Sequence, residues 1–204
     1  MPLQPIEIPA EIKLLEHTPA AADLIDIANE RIERFMLSCE DVSENFVTCD
    51  FHLLDQSLTW IKQNNLLTGN RFCEFGSGFG VAALLTSLRG MESVGIEIED
   101  NLVDQATALA DSLGLSAEFY CGSFVPRGIA EILELGRDME HVETDEGDVY
   151  EEIGLGIDDF DLFFAFPWPG EHHFFEAVFE AGAAANSLLL SYRGRDGMHL
   201  LRKE

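Results

Sequence analysis

Leu24, Ile25, Ala28, Ile32, Phe35 and Met36 recur at the 3.6-residue period with mostly charged residues between them, which predicts an amphipathic helix over residues 22–36. After a polar loop, Phe51, Leu54, Leu58 and Ile61 form a second helical stripe, and Asp50 stands where a helix cap is wanted. Ahead of both, residues 3–17 show no period and contain Pro5 and Pro9, so they are expected to form an extended arm. Past Gly69-Asn70 the pattern changes. Short apolar runs at residues 71–75, 93–98, 117–121, 160–166 and 187–192 predict five strands. Helical patterns at 80–88, 100–113, 126–135 and 171–184 lie among them. Strands separated by crossover helices imply an α/β protein whose parallel sheet is covered on both faces.

One segment breaks this rhythm. Residues 138–161 hold 11 acidic side chains and no Lys or Arg. Asp145, Asp148, Glu151 and Glu152 lie close together there, but their spacing fits no EF-hand loop, and the segment is expected to be a solvated insertion with no metal site. A length of 204 residues suits one domain. Residues 1–69 would form its arm and helical cap, and residues 70–204 its core with the insertion at 138–161.

Charge narrows the partners. Thirty-eight acidic residues against 12 basic ones give a net charge of −26. Such a surface repels a phosphate backbone, and no basic cluster interrupts it, which argues against nucleic acid as a substrate. Acidity also suits solubility alone. No run of about 18 apolar residues predicts a membrane span, and residues 1–10 lack the features of a secretory signal, so the expected location is the cytoplasm. Cys39, Cys49, Cys73 and Cys121 form no CxxC pair. Cys73 and Cys121 fall on predicted strands and are expected to be buried free thiols.

The chemistry concentrates at Arg71-Phe-Cys-Glu-Phe-Gly-Ser-Gly-Phe-Gly80. An apolar strand ends in an acid, Glu74, and is followed by Gly76, Gly78 and Gly80 and then by a helix. Glycines allow a tight turn and close approach of backbone to a ligand, and the helix start offers free N–H groups. Val94-Gly-Ile-Glu97 closes the next strand with a second acid, whose carboxylate can accept hydrogen bonds from both hydroxyls of a ribose. Dinucleotide sites prefer G-x-G-x-x-G, whereas here Val81 occupies the place of the third glycine. Glu74 suits a pyrophosphate poorly and an ammonium and sulfonium well. S-adenosylmethionine carries both and no phosphate.

Glu74-x-Gly76-x-Gly78-x-Gly80 and Gly95-Ile-Glu97 resemble the first two motifs of the Rossmann-like (class I) S-adenosylmethionine-dependent methyltransferases. The resemblance covers about residues 51–192. It implies a doubly wound, mostly parallel sheet with its predicted strands in the order 3-2-1-4-5, an N-terminal helical cap and S-adenosylmethionine as cofactor. It also implies that Gly76, Ser77, Gly78 and Gly80 line the methionine part with Glu74 below, that Glu97 binds the ribose, and that Ser123 and Phe124 lie near the adenine. The cap would place Asp50 and Phe51 near the pocket mouth.

In that family the loop after the fourth strand faces the transferred methyl. Enzymes that modify amines of nucleobases and glutamine carry Asn or Asp there, then prolines and an aromatic. This chain has Phe166-Pro167-Trp168-Pro169, without the polar first residue, which disfavours those two acceptors. Phe166 is expected beside the cofactor, and Phe166 and Trp168 could wall a hydrophobic or cationic acceptor. Glu171, His172 and Tyr192 are the candidates for a catalytic base. The fifth strand is followed only by residues 193–204, a short basic tail. The C-terminal strands of the family are thus expected to be truncated, leaving an edge that a homodimer could cover. The expected function is methyl transfer to a small molecule or a protein side chain. A non-catalytic S-adenosylmethionine-binding module and an NAD-dependent oxidoreductase are the alternatives.

Overall fold

A computed structural model describes residues 2–38, 49–127 and 149–204. Its centre is a seven-stranded sheet made of β1 (Leu3–Ile6), β2 (Arg71–Phe75), β3 (Glu92–Glu97), β4 (Glu118–Cys121), β5 (Leu162–Ala165), β6 (Leu188–Tyr192) and β7 (Met198–Lys203), in the order β1-β7-β6-β5-β2-β3-β4. The five strands from β6 to β4 run parallel. From β2 the chain steps outward to β3 and β4, then returns to the other side of β2 to lay down β5 and β6. The reversal leaves a crevice at the carboxyl ends of β2 and β5, where sheets of this kind bind ligands.

Strand alternation sends Phe72, Leu162, Phe164, Leu188 and Leu190 to one face and Cys73, Phe75, Phe163, Ala165 and Leu189 to the other. The first face is covered by α1 (Pro19–Ser38), α2 (Phe51–Gln63), α3 (Val81–Ser87) and α4 (Asp100–Leu113). The second is covered by α6 (His172–Gly182), through Phe174, Phe175, Val178 and Phe179, with Val149 and Tyr150 of α5 (Val149–Ile153). Each local start has a physical reason. Pro19 opens α1, where its missing N–H is not needed, and the Thr18 hydroxyl accepts the N–H of Ala21 at 3.2 Å. Asp50 caps α2 by accepting the N–H of Leu53 at 2.9 Å.

Three expectations are corrected. The arm is not simply extended: β1 occupies its first residues, and a 3-10 turn spans Ala10–Leu14. The basic tail is instead β7, antiparallel to β6, with β1 antiparallel to β7 in turn. The sheet therefore has strands beyond β6, which is not an edge; the edge is β1, four residues long and interrupted by Pro5, a shape that discourages further pairing. Cys121 is exposed rather than buried, because β4 is the opposite edge and its side chains are less covered. Cys73 is fully buried, and Cys49, Cys73 and Cys121 are all free thiols. Cys39, most of the helix expected at 126–135 and the first part of the acidic insertion lie outside the described residues. The rest of that insertion holds α5 and a 3-10 turn at Ile157–Asp159. Among the described residues no helix is long and apolar enough to cross a membrane.

Candidate functional site

Where β2 ends, the chain turns through Gly76, Gly78 and Gly80, all at positive φ (68°, 51° and 70°), before α3 begins. Two backbone bonds fix this turn: the Ser77 N–H donates to the Ile96 carbonyl at 2.9 Å, and the Gly80 N–H to the Ser77 carbonyl at 2.7 Å. The glycines serve different purposes. A Cβ on Gly80 would lie 2.2 Å from the Phe119 ring, so that glycine is required by packing against β4. A Cβ on Gly76 would meet nothing within 4 Å, so its side is open space.

The two strand-end acids hold the turn from either side. Glu97, at the end of β3, accepts N–H groups from Gly78 (2.8 Å), Ile98 (2.8 Å) and Glu99 (3.1 Å). Burial raises its pKa, and these three donors oppose the rise. Three donors leave part of a carboxylate's acceptor capacity unused. Glu74, on the face of β2 that meets α3, accepts the Ala83 N–H at 2.9 Å. It is buried, and burial lifts its carboxyl to about 8 despite the N–H groups of Ala83 and Ala82, with the nearby charge of Glu97 adding to the rise.

Glu74, Gly76, Ser77 and Gly78 share a cleft with Ile32, Cys49, Phe51, Phe79, Val81, Phe164 and Phe166. The cleft has a cavity volume of about 70 Å³, smaller than a ligand of nucleoside size. Among the described residues the lining contains no Lys, Arg or His. The Ser77 hydroxyl is buried there without a hydrogen-bond partner among the described residues. Buried polar groups are normally paired, so an orphan lining a cleft marks a place where a ligand or water donates or accepts.

Two solved structures share this architecture. A methyltransferase from Geobacter sulfurreducens superposes with a TM-score of 0.51 at 17% sequence identity, over 94% of this chain and 93% of that one. A hypothetical protein of Thermus thermophilus gives a TM-score of 0.52 at 15% identity, over 80% of this chain and 90% of that one. The chain has the Rossmann-like fold of class I methyltransferases. No family model matches the chain, and no curated protein matches it significantly.

On this methyltransferase fold the remaining sequence candidates are placed as follows. Gly80 is part of the turn, and Phe166 lines the cleft. Ser123 is buried just after β4, where its hydroxyl accepts the Val125 N–H at 3.2 Å; the Gly122 N–H ties that corner to the Glu97 carbonyl at 2.9 Å. Phe124 belongs to the core: its ring stacks on Phe75 and Phe175 at centroid distances of 4.8 and 4.9 Å, on the face covered by α6. Tyr192 packs its ring 5.0 Å from Phe166, which brings it to the edge of the cleft. Burial, with the acidic groups of Cys49 and Asp50 nearby, pushes its phenol upward. Glu171 and His172 lie at the start of α6, on the other side of the sheet, and neither lines the cleft. Burial and the neighbouring Arg193 lower the His172 pKa.

Ile32, Cys49, Phe79, Val81 and Phe164 complete the lining and were not singled out by sequence reasoning as site residues. Ile32 and Phe164 carry no distinguishing signal, since an apolar residue facing a cleft has the same pattern as one facing a core. Phe79 gave a weak one, being an apolar residue inside a glycine turn; Phe35 of α1 meets it edge-on at 5.3 Å.

Proposed function

We propose that this chain is an S-adenosylmethionine-dependent methyltransferase acting on a small molecule or a protein side chain. The observation that carries the reading is the turn itself: open space beside Gly76, an orphaned Ser77 hydroxyl and the buried Glu74, in a lining without a basic side chain among the described residues, with Glu97 bonded to the same turn through Gly78. These features fit a ligand that brings an amino acid end, positive charge and no phosphate. Gly76, Ser77 and Gly78 would hold the methionine end above Glu74, with Gly80 closing the turn, and Glu97 would take a ribose hydroxyl on its remaining acceptor site. Ser123 stands at the next strand end, toward the base, and Phe166 borders the methyl group. Bound there, the cofactor supplies an activated methyl carried on a sulfonium. The protein's contribution is alignment and exclusion of water, which provide much of the rate in a direct displacement.

Calorimetric titration with S-adenosylhomocysteine and, separately, NAD tests the cofactor, and conversion of S-adenosylmethionine to the demethylated product tests catalysis. S-adenosylhomocysteine is expected to bind and to raise the unfolding temperature. At a hundred times its dissociation constant it would add about 2.7 kcal/mol of stability. Binding of NAD alone would overturn the reading in favour of an oxidoreductase. Binding with no acceptor-dependent turnover in any fraction of a cell extract would reduce the protein to a binding module. For Glu97→Ala, loss of a charged acceptor predicts roughly ten- to a hundredfold weaker cofactor binding. Unchanged affinity in a variant that still melts cooperatively would remove Glu97 from the ribose site.

A further inference from the structure

We infer that the methyl acceptor is an amine on an apolar or aromatic body, held in its ammonium form by Asp50 at the mouth of the cleft. The inference rests on the cofactor reading above and adds the acceptor's chemical class. Asp50 does not itself line the cleft but lies between Cys49 and Phe51, both of which do. One of its oxygens caps α2 through Leu53; the other has no hydrogen-bond partner among the described residues, and the side chain is exposed. Phe51 and Phe166 supply aromatic surface in the cleft, and Tyr192 extends it from behind Phe166. Rings beside a carboxylate favour an organic cation, which gains from the ring faces as well as from the charge. Among the described residues the lining offers an anionic acceptor no Lys, Arg or His, and the net charge of −26 attracts cations and repels anions at encounter.

For transfer, the ammonium gives one proton to bulk water, which reaches the exposed Asp50. The freed lone pair forms the N–C bond as the S–C bond breaks and its electrons remain on sulfur. Asp50 thus orients the nitrogen.

Asn caps a helix as well as Asp does, so Asp50→Asn removes the charge while keeping the bond to Leu53. The test first measures S-adenosylhomocysteine binding to both forms, which is expected to be the same; its absence from the wild type would sink the cofactor reading and be recognised as such. The saturated protein is then titrated with benzylamine, benzyl alcohol and benzoate, three probes of like shape and different charge. Benzylamine is expected to bind most tightly, to weaken with added salt, and to lose about tenfold in affinity in Asp50→Asn. Benzoate or benzyl alcohol binding as tightly as benzylamine, no binding by any probe, or benzylamine binding equally well to Asp50→Asn would each overturn the inference.

Discussion

Glu74→Gln is expected to make the ligand-free protein more stable at pH 9, to change it little at pH 4, and to weaken S-adenosylmethionine binding. The carboxyl is buried and titrates at about 8, chiefly because burial disfavours its charge. In the unfolded chain the same group titrates near the ordinary value of 4.5. The folded state therefore holds this proton more tightly than the unfolded state. Its contribution to stability is fully present below pH 4.5, declines as pH rises through the window, and is lost above about 8. A shift of this size corresponds to an upper bound of about 5 kcal/mol at pH 9, and relaxation around the charge brings the expected gain for Gln to about 2–4 kcal/mol. The amide oxygen can still accept the Ala83 N–H, so the local geometry survives. Urea denaturation of both proteins at pH 4, 7 and 9 measures the difference, and a Gln variant less stable than the wild type at pH 9 would refute the argument.

The binding half of this prediction follows from the same charge. A sulfonium and an ammonium beside Glu74 favour its ionised form, so cofactor binding to the wild type should release a proton below pH 8 and tighten as pH rises toward 8, by at most about tenfold per pH unit. Glu74→Gln should lose that component of the pH dependence. A carboxyl retained in a position that disfavours folding is more readily understood as serving a cationic ligand than as serving the fold.

Much of this site was legible because its parts are local. A strand, an acid, a glycine turn and a helix lie within 71–88, and Glu97 ends the next strand, so the neighbourhood of the two acids follows from the connection alone. What remained hidden depended on distant pairing or on direction. Leu3 pairs with Lys203, and no local pattern announces a strand formed across the length of the chain. In β7 the basic residues masked the pattern: Leu200 and Leu201 are buried on opposite faces, and Lys203 is buried with its ammonium donating to the Ala183 carbonyl. The packing of Phe124 was hidden for a different reason. Both faces of the sheet are apolar, so its hydrophobic character did not say whether the corner after β4 turns that ring toward the rim or the core. Cys121 repeats the lesson at an edge, where strand residues look central in sequence but have neighbours on only one side.

Among the turn glycines, Gly80→Ala is expected to damage folding and Gly76→Ala to damage binding. Both residues sit in the left-handed region, so Ala carries a conformational cost of about 1–2 kcal/mol at either position. At Gly80 the new methyl would also lie 2.2 Å from the Phe119 ring and 3.2 Å from the Ala106 Cβ, a contact that forces the ring and the α4 packing to move. Overpacking of this kind adds about 1–3 kcal/mol, for a total near 2–5 kcal/mol. At Gly76 no atom stands within 4 Å of the new methyl, so strain alone remains and the variant should fold. The methyl would instead occupy the space left for the cofactor's methionine end, and binding of S-adenosylhomocysteine should fall by more than about tenfold, the equivalent of 1.4 kcal/mol. Chemical denaturation and calorimetric titration of the two variants in parallel separate the effects. Gly76→Ala retaining wild-type affinity would mean that the open space beside the turn is not where the ligand lies.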